Sequence, residues 1–596
     1  MSGEGLPEPG DDLSALASRI ADQCRRGEAE SALQTVERLI GQRPYVAGLH
    51  VIHGNVLRFL GRFGEGAGAF AAATRLDGSD AAIWLGMGLC LEGAGQKRGA
   101  LQAFAKATTL EPDRPDAFFR VIRSLQKGGH HGKALERLDA ASARLRRNLN
   151  WPVLRASSLL EQGRVSEAID FGPGHPGLED RHAPAGAGRL RALIYDPRAD
   201  AESVYRAAVR WDRCHGPAKV DRLPAVDSDP ERPLCIGFLS TRMRRHSLGY
   251  PLRSLLKRRP AWVRRVVLFP SNDFDDDLTG ELRRLADATV PVADPDPAPG
   301  LARIRREEPD ILVDMNEYTN GGRMEIVARR AAPAQVHWYA NALTTGLRAM
   351  DFRISDSMAD PPGKADRWSA ERILRLDETG YTLFTPPEGH PEPVSRPPVE
   401  AAGRITFGAI HHLAKYNPAV LDAYRRILEA VPGSRLLLAR ANLDDPPTVD
   451  RFRERLAGAG LPPRRVLLAG DRGTIGSLAI WNRIDINLDT WPFSASASAV
   501  DALYMGVPLV TRLGDRVAGR TAASKLHLVG CDDLITRNDE DFVNRAVALA
   551  GDRQELAALR RSLPARVRRS GLMAHDRTAA AVWGALREAW RQTCAG

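Results

Sequence analysis

Apolar positions along this chain follow two rhythms. In the first third they mark paired helices. From Leu234 onward they come as short unbroken runs, each followed by a helix-like stretch. One set of runs is LCIGFLS (234–240), VVLF (266–269), DILVDMN (310–316), AQVHWYA (334–340) and FRIS (352–355). A second set is RITFGAI (404–410), RLLLAR (435–440), RVLLAG (465–470), INLDT (486–490) and PLVT (508–511). Amphipathic stretches such as AVLDAYRRILEAVP (Ala419–Pro432) lie between them. Buried strands alternating with helices predict parallel sheets covered on both faces. Two such sets predict two Rossmann-like domains facing a cleft, with ligands at the carboxyl ends of the strands.

The helical third has a period. Gly27, Gly61, Gly95, Gly129 and Gly163 stand 34 residues apart. Five residues after each comes a small one: Ala32, Gly66, Ala100, Ala134 and Ala168. The unit IWLGMGLCLEGAGQKRGALQAFAKATTLEP (Ile83–Pro112) places Trp84, Gly88, Ala100, Phe104 and Pro112 in the tetratricopeptide pattern. Glycine ends one helix at the turn, and the small residues let two helices approach. Five units are expected, the first (Leu13–Tyr45) and fifth (Leu149–Glu179) weaker, as in capping repeats. Such a solenoid holds a protein partner on its concave face, or serves as a scaffold. The expected organisation is an all-α repeat array at 13–180, a helical linker at 181–232, a first α/β domain at 233–384, a Pro-rich linker at 385–403 and a second α/β domain at 404–596.

Composition narrows the partners. The 596 residues carry a formal charge of +10, with Arg spread along the chain. That is a mild bias toward anions and does not point to nucleic acid. The six Cys lie far apart, without metal-site spacing. The start, MSGEGLPEPGDDLS, lacks an apolar leader, and no apolar run reaches membrane-spanning length, so a cytoplasmic protein without a membrane partner is expected. An Asp-x-Asp within DFDDDL (273–278) reads as an acidic loop, and His130–His131 as solvated turn residues.

The chemistry concentrates in WPFSASASAVDALYMGVP (Trp491–Pro508), whose middle is only Ser and Ala. A strand, a loop of small residues and a helix N-terminus make an anion cradle. Ser494, Ser496 and Ser498 would add hydroxyls, and Asp501 would accept from ribose. The alternative is a tight turn with Ser caps and packed Ala.

Four blocks carry a resemblance: LCIGFLSTRMRRHSLGYPL, ILVDMNEYTNGGRMEIVARRAAPAQVHWYANALTTGLRAMDFRISD, ITFGAIHHLAKYNP and LDTWPFSASASAVDALYMGVPLVTRLGDRVAGRTAASKL. In this order behind tetratricopeptide repeats, they resemble the O-linked N-acetylglucosamine transferase/SPINDLY glycosyltransferases, and among them the bacterial type that modifies flagellin. The resemblance implies a GT-B fold, a nucleotide-sugar co-substrate, transfer to Ser/Thr of a protein, and neither metal nor cofactor. His246 matches the family's proposed general base, and Arg244 and Arg245 would keep it neutral. Lys415 matches the phosphate-binding lysine, and His412 is expected to face the same site. Asp501 matches the ribose-binding acid. Thr344, Thr345 and Gly346 match a loop facing donor phosphate or sugar.

The departures point to a different donor. The family's Thr-Thr is replaced by Ser-Ala-Ser-Ala, its GYPG-like loop by ANAL (340–343), a His near the base by Ser477, and an Asp after the first strand by Arg242. A donor with fewer phosphates, such as a CMP-linked nonulosonic acid, is expected, its carboxylate paired with Arg242, Arg244 or Arg245. UDP-GlcNAc is the alternative donor. A non-catalytic repeat adaptor and a nucleotide-sugar epimerase are the alternative functions.

Overall fold

The computed structural model describes residues 13–170, 175–223, 227–272, 275–294, 296–319, 321–339, 342–470 and 473–595. It divides into two compact units, with the boundary between Arg155 and Ala156.

The first unit is helical throughout its described residues. The pairs are Leu13–Arg25 with Ala29–Gln42, Ala47–Phe59 with Phe63–Leu76, Ala81–Gly93 with Lys97–Leu110, and Pro115–Lys127 with His131–Asp139. Gly27, Gly61, Gly95 and Gly129 close the first helix of each pair with φ between +75° and +86°. Only glycine enters that region without strain. The small residue five positions on is buried in each pair. At Gly66 an added Cβ would sit 2.9 Å from Cys90 Sγ and 3.3 Å from the Gly54 carbonyl. The 34-residue register is thus a contact requirement.

The second unit contains two parallel sheets. The first is built from β1 (Leu234–Ser240), β2 (Val263–Pro270), β3 (Ala288–Thr289), β4 (Ile311–Asp314), β5 (Ala334–His337), β6 (Phe352–Ser355) and β7 (Arg372–Arg375). Their order is β3-β2-β1-β4-β5-β6-β7. The second is built from β8 (Thr406–Ile410), β9 (Arg435–Ala439), β10 (Val466–Ala469), β11 (Ile486–Leu488), β12 (Leu509–Arg512) and β13 (Ile535–Thr536), in the order β10-β9-β8-β11-β12-β13. Each sheet therefore reverses direction once, between β1 and β4 and between β8 and β11. The crevice for a ligand opens at that reversal. The sequence reading misses β3, β7 and β13. Two of these are two residues long, and β7 (RILR) has Arg at both ends.

Two expected boundaries are redrawn by packing. The segment expected as a linker forms helices Ala183–Leu193 and Ala201–His215, whose Leu190, Val204, Ala208 and Trp211 share a core with Val267, Phe269 and Leu312 of the first sheet. It is a covering layer of that lobe. The last helix, His575–Ala595, falls by sequence position in the second α/β domain. Its Val582, Trp583, Leu586 and Trp590 instead join Phe238, Val266 and Val336 in the core of the first. Trp583 donates to the Leu255 carbonyl at 3.2 Å and Trp590 to that of Asp229 at 3.1 Å. No helix among the described residues is long and apolar enough to cross a membrane.

Candidate active site

The loops after β1 and β4 are bolted together. The Asn316 side-chain oxygen accepts the Thr241 N–H at 2.8 Å, and Ser240 Oγ accepts the Arg242 N–H at 3.0 Å. The chain then curls over the start of helix Gly249–Leu256, where a Cβ on Gly249 would strike the Arg244 carbonyl at 2.0 Å. His246 sits half-buried in this curl, its Nδ1 accepting the Leu248 N–H at 3.2 Å. That bond puts the proton of the neutral ring on Nε2. Burial, reinforced by Arg242, Arg244 and Arg440, lowers its pKa to about 3. The cations acting on His246 thus include Arg242 and Arg440, whereas Arg245 is exposed and paired with Asp277. A neutral ring that carries its proton on Nε2 can donate it to an oxygen atom. It is a poor base at neutral pH.

In the second lobe, Lys415 ends a short 3₁₀ turn, Leu413–Lys415, just beyond β8. The lysine is only 8% exposed. Its Nζ donates to the Ser494 carbonyl at 2.7 Å and lies 4.0 Å from the centre of the Phe493 ring. Burial lowers its pKa to about 8, with Asp489 opposing and Arg440 assisting. It remains mostly charged at neutral pH. Asn417 joins the β8 and β11 loops: its side-chain oxygen caps helix Pro418–Ala430 through Ala419 and Val420, and its amide donates to the Trp491 carbonyl. Asn417→Ala is expected to cost about 1–2 kcal/mol in chemical denaturation and to raise the apparent Kd for nucleotide by misplacing Lys415.

The small residues after Trp491 have a different cause from the expected one. Ser494 is fully buried, and its hydroxyl donates to the Ala518 carbonyl at 3.0 Å, contacts Thr521 Oγ1 at 2.9 Å and accepts the Ala522 N–H at 3.2 Å. A Cβ on Gly519 would lie 2.7 Å from the Pro492 carbonyl. Ala495 and Ala499 are fully buried, and the Ala495 N–H is accepted by Asp489 at 2.7 Å. What comes so close to this backbone is another part of the chain, Ala518–Ala522. Ser494 has no hydroxyl left for a phosphate. Ser496 is exposed at the N-cap of helix Ala497–Tyr504, where its side chain caps no backbone N–H. Ser498 is half-buried, 3.5 Å from His411 Nδ1. Asp501, one turn into that helix, is near enough to Tyr339 of the first lobe to push the phenol's pKa up, burial being the larger cause.

Two further expectations change. Thr344 and Thr345 do not present free hydroxyls: both bond to the buried Glu371 carboxylate, Thr344 Oγ1 at 2.7 Å. Gly346, at φ +68°, backs onto helix Ala201–His215, where a Cβ would lie 2.4 Å from the Ala208 carbonyl carbon. These three anchor the loop to the lobe. His412 Nε2 is engaged by Glu161 Oε2 at 2.9 Å, and its ring stacks on Tyr195 with centroids 5.1 Å apart. Ala340 and Asn341, and the first two residues of DFDDDL, lie outside the described residues. Asp276 of that run caps helix Asp277–Leu285.

Several site groups escape sequence reading. Arg440, half-buried at the end of β9, acts on His246, Arg242, His412 and Lys415 at once. Burial lowers the pKa of Arg242, as do Arg244, Arg191 and Arg440, with Glu161 opposing. Four guanidinium groups thus share one field, opposed by the Glu161 carboxylate. Behind them, His337 is fully buried between Asp314 and Glu317, 3.1 Å from each. Burial alone would lower it, but Glu317 and Asp314 together hold its pKa at about 10. Glu317 also accepts the Ala342 N–H at 3.0 Å, and its φ is +50°, a strained value for any side chain but glycine. The only trace in the sequence is Asp, Glu and His at strand ends.

The comparisons agree with this architecture. Residues 286–381 and 400–581 match glycosyl transferase family 41, and residues 53–115 match a tetratricopeptide repeat. Both stretches of the first match lie in the α/β region, and it is this region that is similar to the family 41 glycosyltransferases. Over 424 residues it is 32% identical to a probable UDP-N-acetylglucosamine–peptide N-acetylglucosaminyltransferase SPINDLY of Solanum lycopersicum, covering 69% of this chain and 45% of that one. Over 270 residues it is 27% identical to the similarly named SEC of Arabidopsis thaliana, covering 44% of this chain and 27% of the other. The chain spans a little under half the length of its SPINDLY relatives. A solved O-GlcNAc transferase mutant of Thermobaculum terrenum aligns over 98% of both chains with a TM-score of 0.64 and 28% identity.

Proposed function

We propose that this chain is a protein O-glycosyltransferase that moves a sugar from a nucleotide donor to a Ser or Thr hydroxyl of a protein acceptor. The observation that carries the reading is Lys415, a buried, protonated amine at the β8/β11 reversal, sharing its field with Arg440, which also acts on Arg242 and His246. As the acceptor oxygen bonds to the sugar carbon and the sugar–phosphate bond breaks, negative charge grows on the departing nucleotide, whose phosphate oxygen takes the proton that the acceptor hydroxyl gives up. Lys415 and Arg440 neutralise it in a site of low dielectric constant, the largest electrostatic task of the reaction. The amide groups at the start of helix Ala497–Tyr504 add to that field, and Asp501 is assigned to the ribose. His246, donating from Nε2, orients an oxygen of donor or acceptor. The repeats are assigned to the protein acceptor. We assign flagellin to that role on the resemblance to flagellin-modifying enzymes with the same layout.

The excess of guanidinium groups supports a donor whose sugar bears its own carboxylate, such as a CMP-linked nonulosonic acid. The names of the relatives favour UDP-GlcNAc as a second reading. Titrating the full chain with each donor separates them: tight UDP-sugar binding with no CMP-sugar binding rejects the first. The intact mass of flagellin co-expressed with the chain then names the sugar. Unmodified flagellin that still binds the repeats would instead make the protein an adaptor.

A further inference from the structure

We propose that the turn Glu161–Gly163 is a positioning clamp for the phosphate-binding lysine, preorganising Lys415 for the nucleotide; this rests on the reading of Lys415 as that group. The starting point is an inequality among the five periodic glycines. A Cβ added at Gly27, Gly61, Gly95 or Gly129 would meet nothing within 4 Å. At Gly163 it would lie 2.3 Å from Arg455 Nη1, 2.5 Å from the Leu413 carbonyl oxygen and 2.9 Å from its carbon. Leu413 opens the 3₁₀ turn that ends at Lys415. The fifth turn is thus seated on the lysine's own turn.

Three consecutive residues make the seat. The Glu161 carboxylate holds His412 Nε2 at 2.9 Å, while His412 Nδ1 accepts the Ala414 N–H at 3.1 Å inside the turn. Asn442 donates to the Glu161 carbonyl at 2.7 Å, and Gln162 donates to Thr448 Oγ1 at 3.2 Å. Arg455 threads between the two segments. Its Nη1 reaches the Gly163 carbonyl at 3.1 Å and the Leu413 carbonyl at 3.5 Å, and its Nη2 bonds to the Tyr416 carbonyl. Tyr195 completes the arrangement by stacking on His412 and leaning on Phe493, the ring beneath the Lys415 ammonium. A three-residue 3₁₀ turn has little hydrogen bonding of its own. Held from outside, it presents Lys415 without an ordering cost when the nucleotide binds.

The test is calorimetric titration of the full-length protein with CMP and with UDP, alongside its melting temperature. Gly163→Ala is compared with Gly433→Ala, a residue of the second lobe with φ +78° against +77° and open space around it. Both substitutions carry the same backbone strain, but only the first disturbs the seat. Gly163→Ala is expected to weaken nucleotide binding about tenfold or more, and Gly433→Ala to leave it within about twofold. Glu161→Ala should weaken it as well, while Glu161→Gln, which keeps an acceptor for His412, should restore most of the loss. Nucleotide affinity unchanged in Gly163→Ala would overturn the clamp. If that variant does not fold, unchanged affinity in Glu161→Ala and Asn442→Ala would do so. Wild-type protein that binds neither nucleotide would instead remove the reading of Lys415, and the clamp with it.

Discussion

Lys415→Met is expected to lower kcat/KM for sugar transfer by roughly 10²–10³-fold, with most of the loss in kcat. Methionine keeps the apolar stem against Phe493 and leaves the packing of a side chain that is only 8% exposed nearly unchanged. What it removes is the charge facing the departing nucleotide. Because the loss falls on the transition state, apparent donor affinity should change less than turnover. The pH dependence gives a second check. With a pKa of about 8, the ammonium is present at neutral pH and is lost as the pH rises through that value. Wild-type kcat/KM should therefore fall on the alkaline side with an apparent pKa near 8, and the variant should lack that limb. A steady-state assay over pH 6–10 with either donor measures both effects. An unaltered kcat in the variant would remove Lys415 from the reaction.

His337→Ala is expected to destabilise the second unit by about 3–5 kcal/mol, because it strands Asp314 and Glu317 as buried carboxylates without their shared cation. The pH dependence has a definite sign. The folded pKa is raised above the ordinary value of 6.5 to about 10. The stabilisation is therefore fully present below about pH 6.5 and is lost as pH rises toward 10. Urea melts of wild-type protein between pH 6 and 10 should show a falling midpoint, and the variant a flatter curve. The same substitution should reduce activity, since Glu317 also holds the Ala342 and Leu343 amides of the loop leading to Thr344.

Much of the architecture is legible in local pattern. The glycine spacing predicts the helical pairs because a turn at positive φ is a requirement of four or five neighbouring residues. The strands at 234–240 and 352–355 are read to the residue because an unbroken apolar run has few other fates. Lys415 stands out in the sequence because HLAKYNP follows a buried strand and resembles a family motif; that this strand lies at a sheet reversal emerges only from the strand order. The role of Ser494 is not, because the group it serves, Ala518–Ala522, lies some twenty-five residues further on. Thr344 and Thr345 mislead for the same reason: their hydroxyls look available until Glu371 is placed beside them. Gly163 looks like its four predecessors in sequence and differs only in what stands across from it.

The sequence by itself determined the repeat, the two α/β halves and the longer buried strands along the chain. Each follows from backbone geometry and burial over a short stretch. Only the tertiary structure decided that the expected linker and the last helix complete the first lobe, that Arg440 faces His246, and that Glu161 reaches His412. Packing and electrostatic fields depend on distance in space, and residues 161 and 412, or 246 and 440, are neighbours only once the chain has folded.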